Sequence, residues 1–128
     1  MNRHHDGSNQ LKSLPAQLRE SILAAHDKKA SEVLVLDLRN CAAFTDFFLI
    51  CSGQHSRQVK AIADNITDRL RHSGVKPAVV EGTERAEWIL LDFFDFVVHV
   101  FTPKTRSFYA LERLWGSAQR VEVDANPA

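Results

Sequence analysis

The sequence lacks the features of membrane-spanning and secreted proteins. The longest apolar stretch, residues 88–101, is interrupted by Asp92, Asp95 and His99, so it cannot serve as a membrane span. The polar first residues contain no apolar core typical of a secretion signal. Only two cysteines are present, Cys41 and Cys51, and their spacing fits neither a CxxC motif nor a disulfide framework. We expect a cytoplasmic protein with reduced thiols and no membrane partner.

An excess of basic residues is also lacking. Lys and Arg total 16, as do Asp and Glu, so the formal net charge is zero. Proteins dedicated to binding nucleic acid normally carry a basic excess that displaces the counterions of phosphate. We therefore expect little direct contact with nucleic acid.

The chain does have the composition of a globular protein. Hydrophobic residues make up 45% of its 128 residues and charged residues 25%. This length is typical of one domain with a buried core. Because both ends are polar and contain no repeat, we predict a single α/β domain over residues 13–120, with flexible tails at 1–12 and 121–128.

Hydrophobic periodicity predicts alternating helices and strands. The apolar residues of the clearest helix recur at i, i+3, i+4, i+7 and i+11, starting from Val59. Predicted helices span 15–30, 55–72 and 109–115, and predicted strands span 32–38, 47–51, 77–81, 88–92 and 96–101. Because only some strands are linked through a long helix, we predict a single mixed five-stranded sheet with flanking helices.

Catalytic and cofactor motifs are missing. The sequence has no Walker loop, no GxGxxG and no GxSxG. Asp92 and Asp95 are three residues apart, whereas side chains on one face of a strand recur every second residue. Asp95 and His99 share a face, but no third metal ligand is near them in sequence. We therefore predict no catalytic residue, no metal and no cofactor.

The segment around residues 88–96 is unusually apolar for a hairpin. Phe93 and Phe94 occupy the turn, where polar residues and glycine are usual, and we expect at least one to be exposed. Trp88, Leu90 and Asp92 share one face of the preceding strand. Residues 81–95 contain five acidic residues and one arginine, a net charge of −4. An acidic, aromatic hairpin is suited to docking a basic protein.

Several motifs together resemble a known family. They are VLVLDL at 33–38, FTDFFLICSG at 44–53, RQVKAIAD at 57–64, VEG at 80–82, WILLDF at 88–93, DFVVHVF at 95–101 and RSFYALERLW at 106–115. In this order and spacing they resemble the ribosomal silencing factor family, also called Iojap-like proteins, over about residues 16–116.

The resemblance implies a nucleotidyltransferase-like fold without its catalytic residues, and a protein that is not an enzyme. Members bind the large ribosomal subunit through its fourteenth protein. They sterically block joining of the small subunit, which represses translation under nutrient limitation. Carried over to this sequence, the partner-binding residues are Trp88, Leu90, Asp92, Phe93, Phe94, Phe101, Lys104 and Tyr109.

The sequence departs from the family at Phe94, where members usually have a small residue, often glycine. Either the turn has a different type or Phe94 provides an extra contact, and both interpretations stay open at this point. Two other functions also stay open. One is a homodimeric structural module that buries an apolar sheet face or edge. The other is a small nucleotidyltransferase-like protein that binds phosphate at the turn formed by residues 52–57, just before a helix N-terminus.

Overall fold

A computed structural model describes residues 12–123. It contains one β-sheet and four helices. The strands are β1 Ser31–Asp37, β2 Phe47–Ser52, β3 Val79–Glu81, β4 Trp88–Asp92, β5 Phe96–Phe101 and β6 Gln119–Glu122. The helices are α1 Ala16–Asp27, α2 Ser56–His72, α3 Pro103–Tyr109 and α4 Leu111–Leu114.

The sheet is mixed, as predicted, but it has six strands rather than five. The strand order is β3-β4-β5-β2-β1-β6. The two central strands, β2 and β5, run parallel, and every other neighbouring pair is antiparallel. The likeness to nucleotidyltransferases that the resemblance implies stays a prediction.

The second half of the sixth strand lies where a flexible tail was predicted. Val121 pairs with Val35 of β1, and Glu122 pairs with Leu34. Only Val121 is buried among the four residues of β6, so the segment carries too weak an apolar pattern to be recognised as a strand. The remainder of both predicted tails, residues 1–11 and 124–128, lies outside the described residues.

In place of the predicted third helix at 109–115, the structure has two helices, α3 and α4. Pro103 follows β5 and is the first residue of α3, where its missing N–H costs no hydrogen bond. Ala110 adopts the left-handed conformation at φ 47° and separates α3 from α4. At the other end of the chain, α1 ends at Asp27 rather than near residue 30, and Lys29 has a positive φ of 64°.

The first face of the sheet is covered by α1 and α2. The predicted apolar stripe of α2 is buried as a whole and consists of Val59, Ile62, Ala63, Ile66 and Leu70. These side chains pack against alternate strand residues such as Leu49, Val98 and Val100. Within residues 12–123, no helix is both long and apolar enough to cross a lipid bilayer.

The second face of the sheet is only partly covered. Residues of the β1–β2 loop, α4 and Trp115 pack over Leu36, Phe48 and Ile50. Along β4, burial alternates as the sequence predicted. Ile89 and Leu91 are buried under the helices, whereas Trp88, Leu90 and Asp92 on the second face remain partly exposed. This uncovered end of the sheet face is where a partner can reach the strand.

A buried arginine holds α3 against the sheet. Arg106 donates from Nη1 to the Glu32 carbonyl at 2.8 Å and to Ser52 Oγ at 2.9 Å. Its Nε donates to Glu112 Oε2, also at 2.8 Å, and the pair forms a salt bridge. Glu32 has a φ of 48° at an irregularity in the pairing of β1 with β2.

The two cysteines are unpaired. Cys51 is fully buried in β2, and this burial raises the pKa of its thiol to about 12. Cys41 is partly exposed in the β1–β2 loop. The thiol of Cys51 therefore remains protonated and unreactive at neutral pH.

Gly82 is predicted to be required for the stability of the fold because its backbone packs closely against the start of β4. Its φ is 88°, and a Cβ there would lie 2.0 Å from the Trp88 carbonyl oxygen. We expect Gly82→Ala to lower the free energy of unfolding by about 2–5 kcal/mol through strain and overpacking. Gly74→Ala is the matched control, because Gly74 has φ 80° but nothing within 4 Å of a Cβ. Urea denaturation of both variants provides the comparison, and equal losses would contradict the close approach to Trp88.

Candidate functional site

A groove lies between the β3–β4 connection and α3. Its volume is about 1120 Å³. Residues of the connection form one wall, and residues of α3 form the other. Its lining side chains include Arg85, Glu87, Trp88, Lys104, Phe108 and Tyr109. We call this the Trp88 groove.

Trp88 is held in the groove by aromatic neighbours. Its ring centroid lies 4.7 Å from that of Tyr109 and 4.9 Å from that of Phe101. The indole Nε1 donates a hydrogen bond to Nδ1 of His99 at 3.1 Å. Because the indole N–H is hydrogen-bonded to His99, the rest of the ring offers an apolar surface whose orientation is already fixed.

His99 supports Trp88 from beneath as a neutral imidazole. It is buried, and burial lowers its pKa to about 4. Because Nδ1 accepts from Trp88, the proton of the neutral ring is on Nε2. That Nε2 has no hydrogen-bond partner among the described residues, and the ring packs edge-on against Phe48 at 4.5 Å.

The walls of the Trp88 groove carry both signs of charge. Arg85 and Lys104 are cationic, and Glu84 and Glu87 are anionic. Phe108 is 79% exposed and Tyr109 is 50% exposed, and their rings meet edge-to-face at 5.0 Å. A mixed charge pattern around exposed aromatic rings is typical of a surface that binds protein.

Two of the predicted contact residues need correction because they are buried. Phe101 is 0% exposed and lies beneath Trp88, so it supports the indole rather than reaching a partner. Phe93 folds back into the core and stacks on Phe96 at 5.1 Å. Both residues belong to the hydrophobic core.

The other predicted residues lie on one continuous side of the molecule. Trp88, Lys104 and Tyr109 line the Trp88 groove, and Leu90 and Asp92 follow Trp88 along the same face of β4. Phe94 is exposed at the turn, which confirms that one of the two turn phenylalanines faces solvent.

The sequence did not predict that residues 82–87 form one wall of a groove, and Phe108 was not named individually as a contact residue. Phe108 follows Lys104 by four residues, the spacing of neighbours on a helix surface. That signal was available in principle, but it requires knowing that α3 begins at Pro103. The contribution of the β3–β4 connection depends on tertiary folding.

The turn at residues 52–57 is already occupied by side chains of the protein. His55 Nδ1 accepts from the Gln58 backbone N–H at 3.2 Å, and Gln58 Oε1 accepts from the Gln54 N–H at 2.7 Å. Ser52 Oγ accepts from Arg106. Over residues 12–123, no three His, Cys, Asp or Glu side chains are grouped closely enough to hold a metal ion. Asp95 is exposed, whereas His99 is buried.

Comparison with known proteins identifies the family. The family described as "Ribosomal silencing factor during starvation" matches residues 11–128. The chain belongs to the ribosomal silencing factor family. It is 41% identical over 107 residues to ribosomal silencing factor RsfS of Bacillus subtilis, covering 84% of this chain and 91% of that protein. The resemblance found in the sequence motifs is thereby confirmed.

More distant relatives come from organelles. Chloroplastic protein Iojap of Zea mays is 37% identical over 100 residues, covering 78% of this chain and 43% of that protein. A Mus musculus relative named "mitochondrial assembly of ribosomal large subunit protein 1" is 31% identical over 91 residues, covering 69% and 40%. The name of the mouse protein refers to the large ribosomal subunit.

Solved structures of similar proteins have the same fold. A crystal structure from Chromobacterium violaceum matches with a TM-score of 0.76 at 34% identity, covering 87% of this chain and 94% of that one. A crystal structure from Bacillus halodurans matches with a TM-score of 0.73 at 40% identity, covering 83% and 96%. The matched family and the curated relatives are named as ribosomal silencing factors, a regulatory family.

The buried His99 predicts a specific dependence of stability on pH. Its folded-state pKa of about 4 lies below the ordinary value of 6.5, so the unfolded chain takes up the proton first as pH falls. The free energy of unfolding should therefore drop by up to about 3 kcal/mol between pH 6.5 and pH 4. Urea denaturation at several pH values measures it. His99→Gln should remove this drop, whereas His55→Gln at the start of α2 should retain it.

Proposed function

We propose that this protein binds the large ribosomal subunit through its fourteenth protein and prevents the small subunit from joining. Translation is then repressed when nutrients are limited. Blocking by occupancy needs no catalytic residue, metal or cofactor. The relatives named as silencing factors and the mouse protein named for large-subunit assembly support a partner on that subunit.

The observation that carries the proposal is the prepared position of Trp88. Its indole is fixed by a hydrogen bond to His99 and by ring contacts to Phe101 and Tyr109, yet it remains partly exposed in the Trp88 groove. Tryptophan and tyrosine are the residue types most enriched among binding hot spots. Because the ring is already ordered, little conformational entropy is lost when a partner covers it.

Charge supports a basic protein as the partner. The acidic residues of the β4 region include Glu87 beside the groove and Asp92 on the open face of β4. Ribosomal proteins must sit among RNA phosphates, which favours basic surfaces. Opposite charges at the rim raise the association rate.

Self-association is the second candidate, and the edge strand β3 favours it. Val79 and Val80 are 41% and 46% exposed on this three-residue strand. An uncovered sheet edge with apolar side chains can pair with another strand. Such pairing is compatible with ribosome binding. The two candidates differ in stoichiometry, because self-association brings together two copies of this chain.

The decisive experiment mixes the protein with separated ribosomal subunits and follows it by sedimentation. We expect it to travel with the large subunit only and to reduce formation of joined ribosomes. Trp88→Ala should weaken binding by about 30- to 1,000-fold, the range of a hot-spot residue. Arg19→Ala is the matched control, because Arg19 is exposed on α1, which covers the opposite face of the sheet.

Two results would contradict the proposal. Absence of the wild-type protein from the large-subunit fraction would remove the ribosomal role and leave the homodimer as the leading candidate. If folded Trp88→Ala, verified by circular dichroism, bound as tightly as wild type, Trp88 would be a structural residue only.

Asp92→Asn should slow association mainly at low salt. The amide keeps an oxygen that can accept the Phe94 N–H, so the turn is retained while the charge is lost. Electrostatic steering weakens as ions screen the charge, so the difference from wild type should shrink between about 0.01 M and 1 M salt. Stopped-flow kinetics measures this. Asp64→Asn is the control on α2, and an association rate of Asp92→Asn equal to wild type at low salt would count against steering.

A further inference from the structure

Two phenylalanines are almost fully exposed at the end of the sheet opposite the Trp88 groove. Phe44 in the β1–β2 loop is 80% exposed, and Phe94 in the β4–β5 turn is 79% exposed. Hydrogen bonds join their two segments. Thr45 Oγ1 donates to the Phe94 carbonyl at 3.0 Å, and the Asp46 N–H donates to the Asp95 carbonyl at 3.1 Å. The two rings therefore belong to one surface, which we call the Phe94 patch.

Phe94 adopts a backbone conformation that is unfavourable for phenylalanine. Its φ is 79°, in the left-handed region where a Cβ meets the backbone. It lies between Phe93 and Phe96, whose backbones are joined by a 2.9 Å hydrogen bond. Short hairpin turns usually carry glycine at such a position. Glycine would make the same backbone hydrogen bonds without strain.

The fold gains little from the Phe94 side chain in return. Its N–H donates to Asp92 Oδ1 at 2.8 Å, and its carbonyl accepts from Thr45, so the surrounding structure fixes the backbone through atoms that every residue has. The ring itself is exposed and buries little apolar surface. An ordered aromatic ring kept in a strained, solvent-facing position is typical of a functional contact.

We propose that the Phe94 patch is a second contact surface for the protein partner, and that it receives an arginine- or lysine-bearing segment of that partner. This inference rests on the proposed function and extends it. Trp88 and Phe94 would act as two aromatic anchors, one at each end of β4. At the rise of a β-strand, their positions are separated by about 20 Å.

The charges of the patch favour a cationic protein segment over RNA. Asp46 and Asp95 are exposed beside the two phenylalanines, and Asp92 is partly exposed. The neighbouring cation, Arg39, is engaged by Asp37 through a salt bridge of 2.8 Å. Three carboxylates repel phosphate, whereas a guanidinium can stack on a phenylalanine ring and pair with a carboxylate.

The patch is also continuous with the surface already proposed. Asp92 accepts the Phe94 N–H, and Asp92, Leu90 and Trp88 follow one another on the open face of β4. A partner lying along this strand would meet both aromatic anchors without crossing the helices, which cover the other face of the sheet.

A pair of Phe94 variants separates binding from folding. Phe94→Ala removes the ring but keeps a Cβ at positive φ, whereas Phe94→Gly removes both. The probe is the purified fourteenth protein of the large subunit, with Kd measured by calorimetry. Both variants should bind about tenfold more weakly than wild type. Phe94→Ala should keep the wild-type melting temperature because a Cβ remains at positive φ, and Phe94→Gly should equal or exceed it because glycine relieves that strain. Leu114→Ala, an exposed apolar residue of α4 away from the patch, should bind within about twofold of wild type.

The possible results are distinguishable. Wild-type affinity in both Phe94 variants would overturn the inference and leave the proposed function intact. Weaker binding only to the whole subunit, with normal binding to the isolated protein, would point to RNA and also overturn it. Equal loss of melting temperature in both variants would make the ring structural and overturn it. If wild type itself failed to bind, the proposed function would fall, and this extension with it.

Discussion

The guanidinium of Arg106 is the interaction on which the candidate site depends most. Arg106 as a residue is 8% exposed, and its guanidinium is hydrogen-bonded simultaneously to Glu112, to the carbonyl of Glu32 and to Ser52. These partners lie on α4, β1 and β2, so one side chain positions α3 relative to two strands. A buried cation is tolerated only when its hydrogen bonds are satisfied. The position of the Arg106 guanidinium relative to these partners is therefore closely restricted. Lys104, Phe108 and Tyr109 owe their places beside Trp88 to it.

The sheet supports the site through unequal coverage of its two faces. Helices α1 and α2 bury the first face, and β2 and β5 at the centre of the sheet are buried along their whole length. On the second face, coverage ends before β4, so the indole of Trp88 is partly exposed while its edge is bonded to His99. The larger buried cluster therefore lies on the helix side of the sheet, and part of β4 is left accessible on the other side.

Much of this architecture could be predicted from residue patterns. The stripe of α2 was recognised by its apolar period of 3.6 residues, and β4 and β5 were recognised as short, strongly apolar runs. β6 and α3 were not recognised because short elements depend on tertiary contacts, pairing with β1 for β6 and Arg106 for α3. Exposure of Phe93 and Phe94 could not be separated in advance, since only the folded turn decides which ring returns to the core.

The pairing of β1 with β6 has a consequence for the order of synthesis. Val35 is synthesised well before Val121, yet the two are partners in the sheet. Until the C-terminal strand arrives, β1 is an open edge of four consecutive buried residues, the kind of edge that joins other chains. A nascent or shortened chain without β6 would therefore expose an apolar strand edge, so the pairing of β6 with β1 protects this protein from aggregation.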